Sequence, residues 1–383
     1  MRTLALFCLT TAFAAAQGTG PAQSPALLAD GYLYVSAQGP GRESTEPPET
    51  QAEQALQKVI GIVQALGLPP ENIVYTQVYM ENLADLPAVD EAFSKAFPQD
   101  PPARAVLGVA GLPDGPIAIR AVAVADRTGV EAVQVSGYST RGYSAGMLTA
   151  DRLYLSSLPA KPGEPATAVD RALDAFEAIT KAAGLDLRHV VFVNPYVTDA
   201  ISYGQLNEAY AKRFEFGNTP ARATIFVAGL PSDPITFTGV AVRNLADRQA
   251  VRPKNMPPSP TASPCVLARD TLFCSAKSGF IPGPNSGIYA STVEHQLRQT
   301  MRNLLDGLEE ADMGFANVVQ TTVYLDDLAE LSVVDPIYGE YFESAPPARA
   351  VLQQAEPNPA SRQPGRGGRY GTLEQISLIA VRR

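Results

Sequence analysis

The chain repeats itself three times. Segments starting at Asn72 (NIVYTQVYMENLADLPAVDEAF), His189 (HVVFVNPYVTDAISYGQLNEAY) and Asn317 (NVVQTTVYLDDLAELSVVDPIY) align without a gap over 22 residues. Each runs on to an Ala-Arg pair, at Arg104, Arg222 and Arg349, after 32, 33 and 32 residues. Each copy then ends in a β-prone run: IAIRAVAV, ITFTGVAV or EQISLIAV. Spacing held this closely marks a duplicated structural unit, not shared composition. Three units in 383 residues leave each the size of one small domain.

Every copy shows the same order of elements. It opens with two short β-prone runs around a polar pair, at Leu27–Tyr34, Leu148–Leu155 and Val266–Phe273, the pattern of a hairpin. An amphipathic helix follows. In copy one Ala55, Leu56, Val59, Ile60, Val63 and Leu66 recur at helical spacing, and Gly67 and Pro69 end the run. The matching helices are expected over about 167–183 and 292–308. A strand rich in Val, Ile, Thr and Tyr comes next, then a second helix carrying Phe93, Tyr210 or Tyr338, the arginine-bearing strand and a last strand. The fold class is therefore α+β, as three tandem ββαβαββ domains.

One such unit covers one sheet face with its helices and leaves the other apolar face needing a partner. Two arrangements answer that need: independent beads, or three copies closed about a pseudo-threefold axis as a covalent counterpart of a cyclic trimer. The linkers, Asp126–Gly129 and the proline-rich Arg252–Pro260, are short and favour closure in a monomeric chain. The expected boundaries are 21–126, 130–246 and 260–383. Residues 1–16 read as a signal peptide: Arg2, an apolar Leu4–Phe13 too short to cross a bilayer, then Ala14-Ala15-Ala16 before Gln17. The expected location is periplasmic or secreted, with no membrane span. A formal charge of -9 argues against a nucleic-acid partner.

Export would leave Cys265 and Cys274 in an oxidising compartment. With Arg269-Asp270 as hairpin turn, the cysteines face each other at a non-hydrogen-bonded pair, where side chains approach most closely. A cross-strand disulfide and two buried thiols side by side both fit. His189 and His295 lack the spacing of a zinc site, and no nucleotide or hydrolase motif is present; no cofactor or metal is implied.

The strand-helix segment leading into Pro-Ala-Arg, the terminal Ala-Val and Ser278-Gly279-Phe280-Ile281-Pro282 resemble the Rid/YjgF (RidA-like) family, also labelled endoribonuclease L-PSP. The resemblance covers nearly the whole chain after residue 16. It implies a chorismate-mutase-like trimeric assembly of the unit, with a central β-barrel and helices outside. It also implies that the arginine binds the carboxylate of a 2-imino or 2-keto acid between neighbouring units, as a planar guanidinium suits. Arg104, Arg222 and Arg349 take that place. Tyr143, in Gly142-Tyr143-Ser144, matches the family's cleft aromatic, and Asn207 its helix asparagine, so copy two looks best preserved. Asp90 and Asp335 replace that asparagine in copies one and three.

The resemblance breaks at the catalytic glutamate. Counting back from Ala-Val, its positions hold Ala118, Thr236 and Gln375, none of them a general base. Glu374 is one residue off and should point to the opposite face. Arg120 shares the face of Ala118 and reads either as a second cation in that pocket or as a solvated rim residue. A Pro-, Gly- and Arg-rich insertion from Glu356 reads as a long loop. The implied function is an exported protein that binds small carboxylates in arginine pockets and hydrolyses imines or enamines; the alternative is a non-catalytic anion-binding or scaffold protein. A ribonuclease reading stands last, given the acidic charge.

Overall fold

A computed structural model describes residues 23–382 apart from 139, 162–166, 255, 284–286, 343–345 and 366–369. The expected signal peptide, 1–16, lies outside the described residues. Each repeat forms one sheet in the order hairpin, last strand, third strand, arginine strand. In repeat 1 these are Ala26–Ala29 with Tyr32–Gln38, then Ile117–Val124, Ile73–Met80 and Ala103–Gly108. The third and arginine strands run parallel because the second helix carries the chain back between them, while the other pairings are antiparallel.

Helices α1 (Pro48–Ala65) and α2 (Leu86–Ala96) belong to repeat 1, α3 (Ala168–Ala182) and α4 (Tyr203–Ala211) to repeat 2, α5 (Val293–Glu309) and α6 (Leu331–Gly339) to repeat 3. The starts are encoded locally. Pro48 occupies the first turn of α1, where no backbone N–H is needed. The hydroxyls of Thr167, Ser202 and Thr292 accept first-turn N–H groups of α3, α4 and α5.

Two edge strands were not expected. Glu131–Val133 and Arg248–Val251, from the links between repeats, pair with the hairpins of repeats 2 and 3. They cover an edge that would otherwise expose unpaired N–H and C=O groups.

Alternation along each last strand divides the core. In repeat 1, Ile117, Ile119, Ala121 and Ala123 pack under α1 and α2, and repeats 2 and 3 build the same kind of helix-side core. The opposite faces meet in one cluster: Ala118 and Val122 from repeat 1, Tyr154 and Val240 from repeat 2, Phe273 and Val381 from repeat 3. The three repeats therefore share one core.

A repeated hydrogen bond joins them. The backbone N–H of Arg104 donates to Ser156 Oγ of repeat 2, that of Arg222 to Ser275 Oγ of repeat 3, and that of Arg349 to Ser36 Oγ of repeat 1, each at 2.8 Å. The three hydroxyls in turn donate to the carbonyls of Ser144, Ser263 and Ser24. All three acceptor serines are buried.

Cys265 and Cys274 pair in the expected register and are disulfide-bonded, with Cα atoms 4.0 Å apart. The bridge lies against α5, where a Cβ on Gly307 would come within 2.7 Å of Cys265 Sγ. The insertion after Glu356 is tied to its own repeat where it is described: Arg362 binds Glu330 and Asp326, and Ser361 C=O accepts from Gly371.

The serine seam makes a direct prediction. Ser156→Ala leaves the buried Arg104 N–H without an acceptor, so stability should fall by about 1–3 kcal/mol in urea unfolding. A loss under about 0.5 kcal/mol, typical of a surface change, would show that the seam contributes little.

Candidate anion-binding clefts between repeats

The arginine side chains leave the seam toward the second helix of their own repeat. Each guanidinium lies over an aromatic ring there: Arg104 over Phe93 at 4.9 Å, Arg222 over Tyr210 at 4.9 Å, Arg349 over Tyr338 at 4.7 Å. These are cation–π distances. The arginines are only 3%, 5% and 5% exposed, so each faces the cost of burying a charge.

Repeats 1 and 3 meet that cost internally. Arg104 Nη2 is ion-paired with Asp90 and Arg349 Nη2 with Asp335. Burial pushes the Arg104 guanidinium below its ordinary pKa, and Asp90 opposes the shift. Repeat 2 differs. Its helix carries Asn207, and Arg222 Nη2 donates instead to Tyr203 Oη at 3.0 Å. Among the described residues Arg222 has no carboxylate partner. Its Nη1, Asn207 Oδ1 and Thr224 Oγ1 are buried with no protein hydrogen-bond partner. Tyr203 and Phe226, both exposed, stand beside it with ring centroids 6.4 Å apart.

The cleft at Arg104 lies between repeats, and this redistributes the expected residues. A cavity of about 270 Å³ is lined by Asp90 and Arg104 of repeat 1 together with Tyr143, Ser157, Asp233 and Thr236 of repeat 2. Tyr143 lies over Arg104, 4.8 Å from ring centroid to guanidinium. The expectation that Tyr143 and Asn207 serve one pocket in copy two is therefore wrong. Tyr143 reaches the arginine of the preceding repeat, because residue 144 pairs across the seam with Ala103. Thr236 likewise sits with Arg104, not with the arginine of its own copy. A larger cavity, about 520 Å³, lies between repeats 1 and 3 and is lined by Arg42, Glu81 and Gln353 among others; none of the expected site residues lines it.

Two further positions are settled by strand alternation. Glu374 is fully buried on the helix side, hydrogen-bonded to Thr300 of α5, and cannot serve a cleft. Burial pushes its carboxyl up to about 8. Arg120 is neither a cleft cation nor a rim residue. Its Nε donates to Gln77 and its Nη1 to Thr322 of repeat 3, within the shared core.

The seam serines and the aromatic platforms escaped sequence reading as site elements. The signal was present: each serine stands two residues past an aligned aromatic, Tyr34, Tyr154 or Phe273.

Glu374 makes stability pH-dependent with a known sign. In the folded chain it holds its proton up to about pH 8, against an ordinary value of 4.5. Between those values the unfolded chain binds fewer protons, so stability falls as pH rises through the window. Glu374→Gln should remove this slope and stabilise the protein at about pH 8.5 by on the order of 3 kcal/mol. Parallel slopes for variant and wild type in denaturant titrations would refute the assignment.

The Endoribonuclease L-PSP family model matches residues 15–125, 135–236 and 255–361. The human 2-iminobutanoate/2-iminopropanoate deaminase is 37% identical over 94 residues, 24% of this chain and 67% of its own length. The RutC family protein slr0709 of Synechocystis is 36% identical over 91 residues, 24% of this chain and 70% of its own. A crystal structure of a chorismatase superposes with a TM-score of 0.57 at 15% identity, covering 81% of this chain and 93% of that one, a likeness of fold. Matched three times along its length by one family model, the chain belongs to the Rid/YjgF, or endoribonuclease L-PSP, family.

Proposed function

We propose that this protein is an exported binder of small carboxylates, with the cleft at Arg222 as its working site. One observation carries the reading: Arg222 is a buried guanidinium left without a counter-ion, whereas Asp90 and Asp335 already neutralise Arg104 and Arg349. A carboxylate there would gain charge-assisted bonds and satisfy orphaned donors. In the other two clefts it would have to displace an aspartate. Export is supported by the N-terminal sequence and by the Cys265–Cys274 bridge, since disulfides persist in oxidising compartments.

The three repeats close, in this reading, as a pseudo-trimer around a central barrel. The support is the serine seam, which runs from repeat 1 to 2, 2 to 3 and 3 to 1, together with the shared core. The same one-repeat offset that brings Thr236 to Arg104 pairs Arg222 with Gln375 and Arg349 with Ala118. Sedimentation should give a single chain in solution; an obligate trimer of chains would mean that the repeats do not satisfy one another.

Imine hydrolysis is the second reading, favoured by the identity to the human deaminase. A positioned acid-base group contributes roughly 10²–10⁴ in rate, and Gln375 can orient water but cannot take its proton.

Arg222→Ala should weaken 2-ketobutyrate binding in calorimetry about 10- to 150-fold, the loss of a charge-assisted pair of roughly 1.5–3 kcal/mol. Arg104→Ala and Arg349→Ala should change it little. Equal losses at all three would overturn the choice of site. Ammonia release from 2-iminobutyrate at the rate of an intact deaminase would overturn the non-catalytic reading.

A further inference from the structure

Repeat 2 departs from its neighbours at two positions beside its arginine as well as at Asn207. Its second helix begins with Tyr203, where those of repeats 1 and 3 begin with Leu86 and Leu331. Four residues past Arg222 stands Phe226, where the other copies carry Gly108 and Gln353. Strand register supports that equivalence: Phe226, Gly108 and Gln353 pair with Val197, Met80 and Leu325, each eight residues past the start of its aligned segment. Both aromatics thus fall in the one repeat whose arginine has no carboxylate partner among the described residues.

A single exposed aromatic is ordinary on a protein surface. This pair is continuous with a buried charge. The two exposed rings lie 6.4 Å apart between centroids and are tilted by 30°. Tyr203 also places its ring centroid 5.5 Å from the Arg222 guanidinium and accepts a hydrogen bond from Nη2. Arg222 itself is buried, and its Nη1 has no protein hydrogen-bond partner.

Nη2 is the atom that Asp90 and Asp335 take at Arg104 and Arg349. In repeat 2 a neutral phenol holds that place, a weaker partner for a cation than a carboxylate. A ligand carboxylate that displaces the Tyr203 hydroxyl exchanges a neutral bond for a charge-assisted one. It also releases an exposed ring that already adjoins Phe226. We propose that the ligand of the Arg222 site is an aromatic carboxylate, whose acid group takes Nη2 while its ring packs with Tyr203 and Phe226. This rests on the reading of Arg222 as a carboxylate site and narrows it to one substrate class. Tilted and offset ring pairs favour an aromatic ligand over an aliphatic one of similar bulk. Leucine with glycine or glutamine, at the other two arginines, offers no such surface.

Calorimetry on the intact protein with three 2-keto acids tests the proposal. Phenylpyruvate should bind about 10-fold more tightly than 2-ketobutyrate. It should also bind more tightly than cyclohexylpyruvate, which has similar bulk and no π face. Phe226→Gln, which gives repeat 2 the residue of repeat 3, should shrink the preference for phenylpyruvate. Equal affinity for phenylpyruvate and cyclohexylpyruvate, or a preference undiminished in Phe226→Gln, would overturn the aromatic assignment and leave Arg222 as a carboxylate site. Phenylpyruvate binding undiminished in Arg222→Ala, or no binding of any of the three acids, would overturn the site and the assignment together. If Phe226→Gln does not fold, the three acids compared on the unaltered protein decide.

Discussion

The architecture depends on the hydrogen bond from an arginine-strand N–H to a buried serine of the next repeat. The arginine strand lies at the edge of its sheet, and an edge strand presents backbone groups that must find partners once buried. Ser36, Ser156 and Ser275 supply that partner from the hairpin of the neighbouring repeat while their own hydroxyl protons go to a nearby carbonyl. Each seam thus holds an edge against a hairpin and brings the apolar sheet faces into one core. The same step sets the cleft at Arg104, because the residue whose N–H is captured is the arginine itself.

On this common scaffold the three arginines differ in how the buried guanidinium is met. Aromatic platforms stand under all three arginines. A cation–π contact is worth about 2 kcal/mol when desolvated, less than the several kcal/mol that burying an ion costs. Asp90 and Asp335 make up the difference at Arg104 and Arg349. The change to Asn207 leaves Arg222 with no carboxylate partner among the described residues, its Nη2 bonded to Tyr203 instead.

Much of this was legible from the chain. Hairpin registers follow from strand periodicity and turn residues, and the Cys265–Cys274 pairing came out residue for residue. Helix faces such as Leu56–Val59–Val63 emerged because a 3.6-residue period is a local property. The direction of Glu374 needed only the alternation of a strand. The edge strands Glu131–Val133 and Arg248–Val251 did not emerge, since short polar runs in a link gain strand structure only from the edge they cover.

The sequence by itself determined the repeat, the element order and the three arginines, because these rest on spacing along one chain. Which residues share a cleft was decided by tertiary structure alone. Tyr143 belongs to repeat 2 yet lies over the arginine of repeat 1, because that cleft is formed where two repeats meet. Arg120 shows the same limit: alternation assigns it to the face of Ala118 and Val122, but only the packing of the sheets decides that it meets Thr322 of repeat 3. Local periodicity names the face of a strand; what covers it depends on surfaces far apart in the chain.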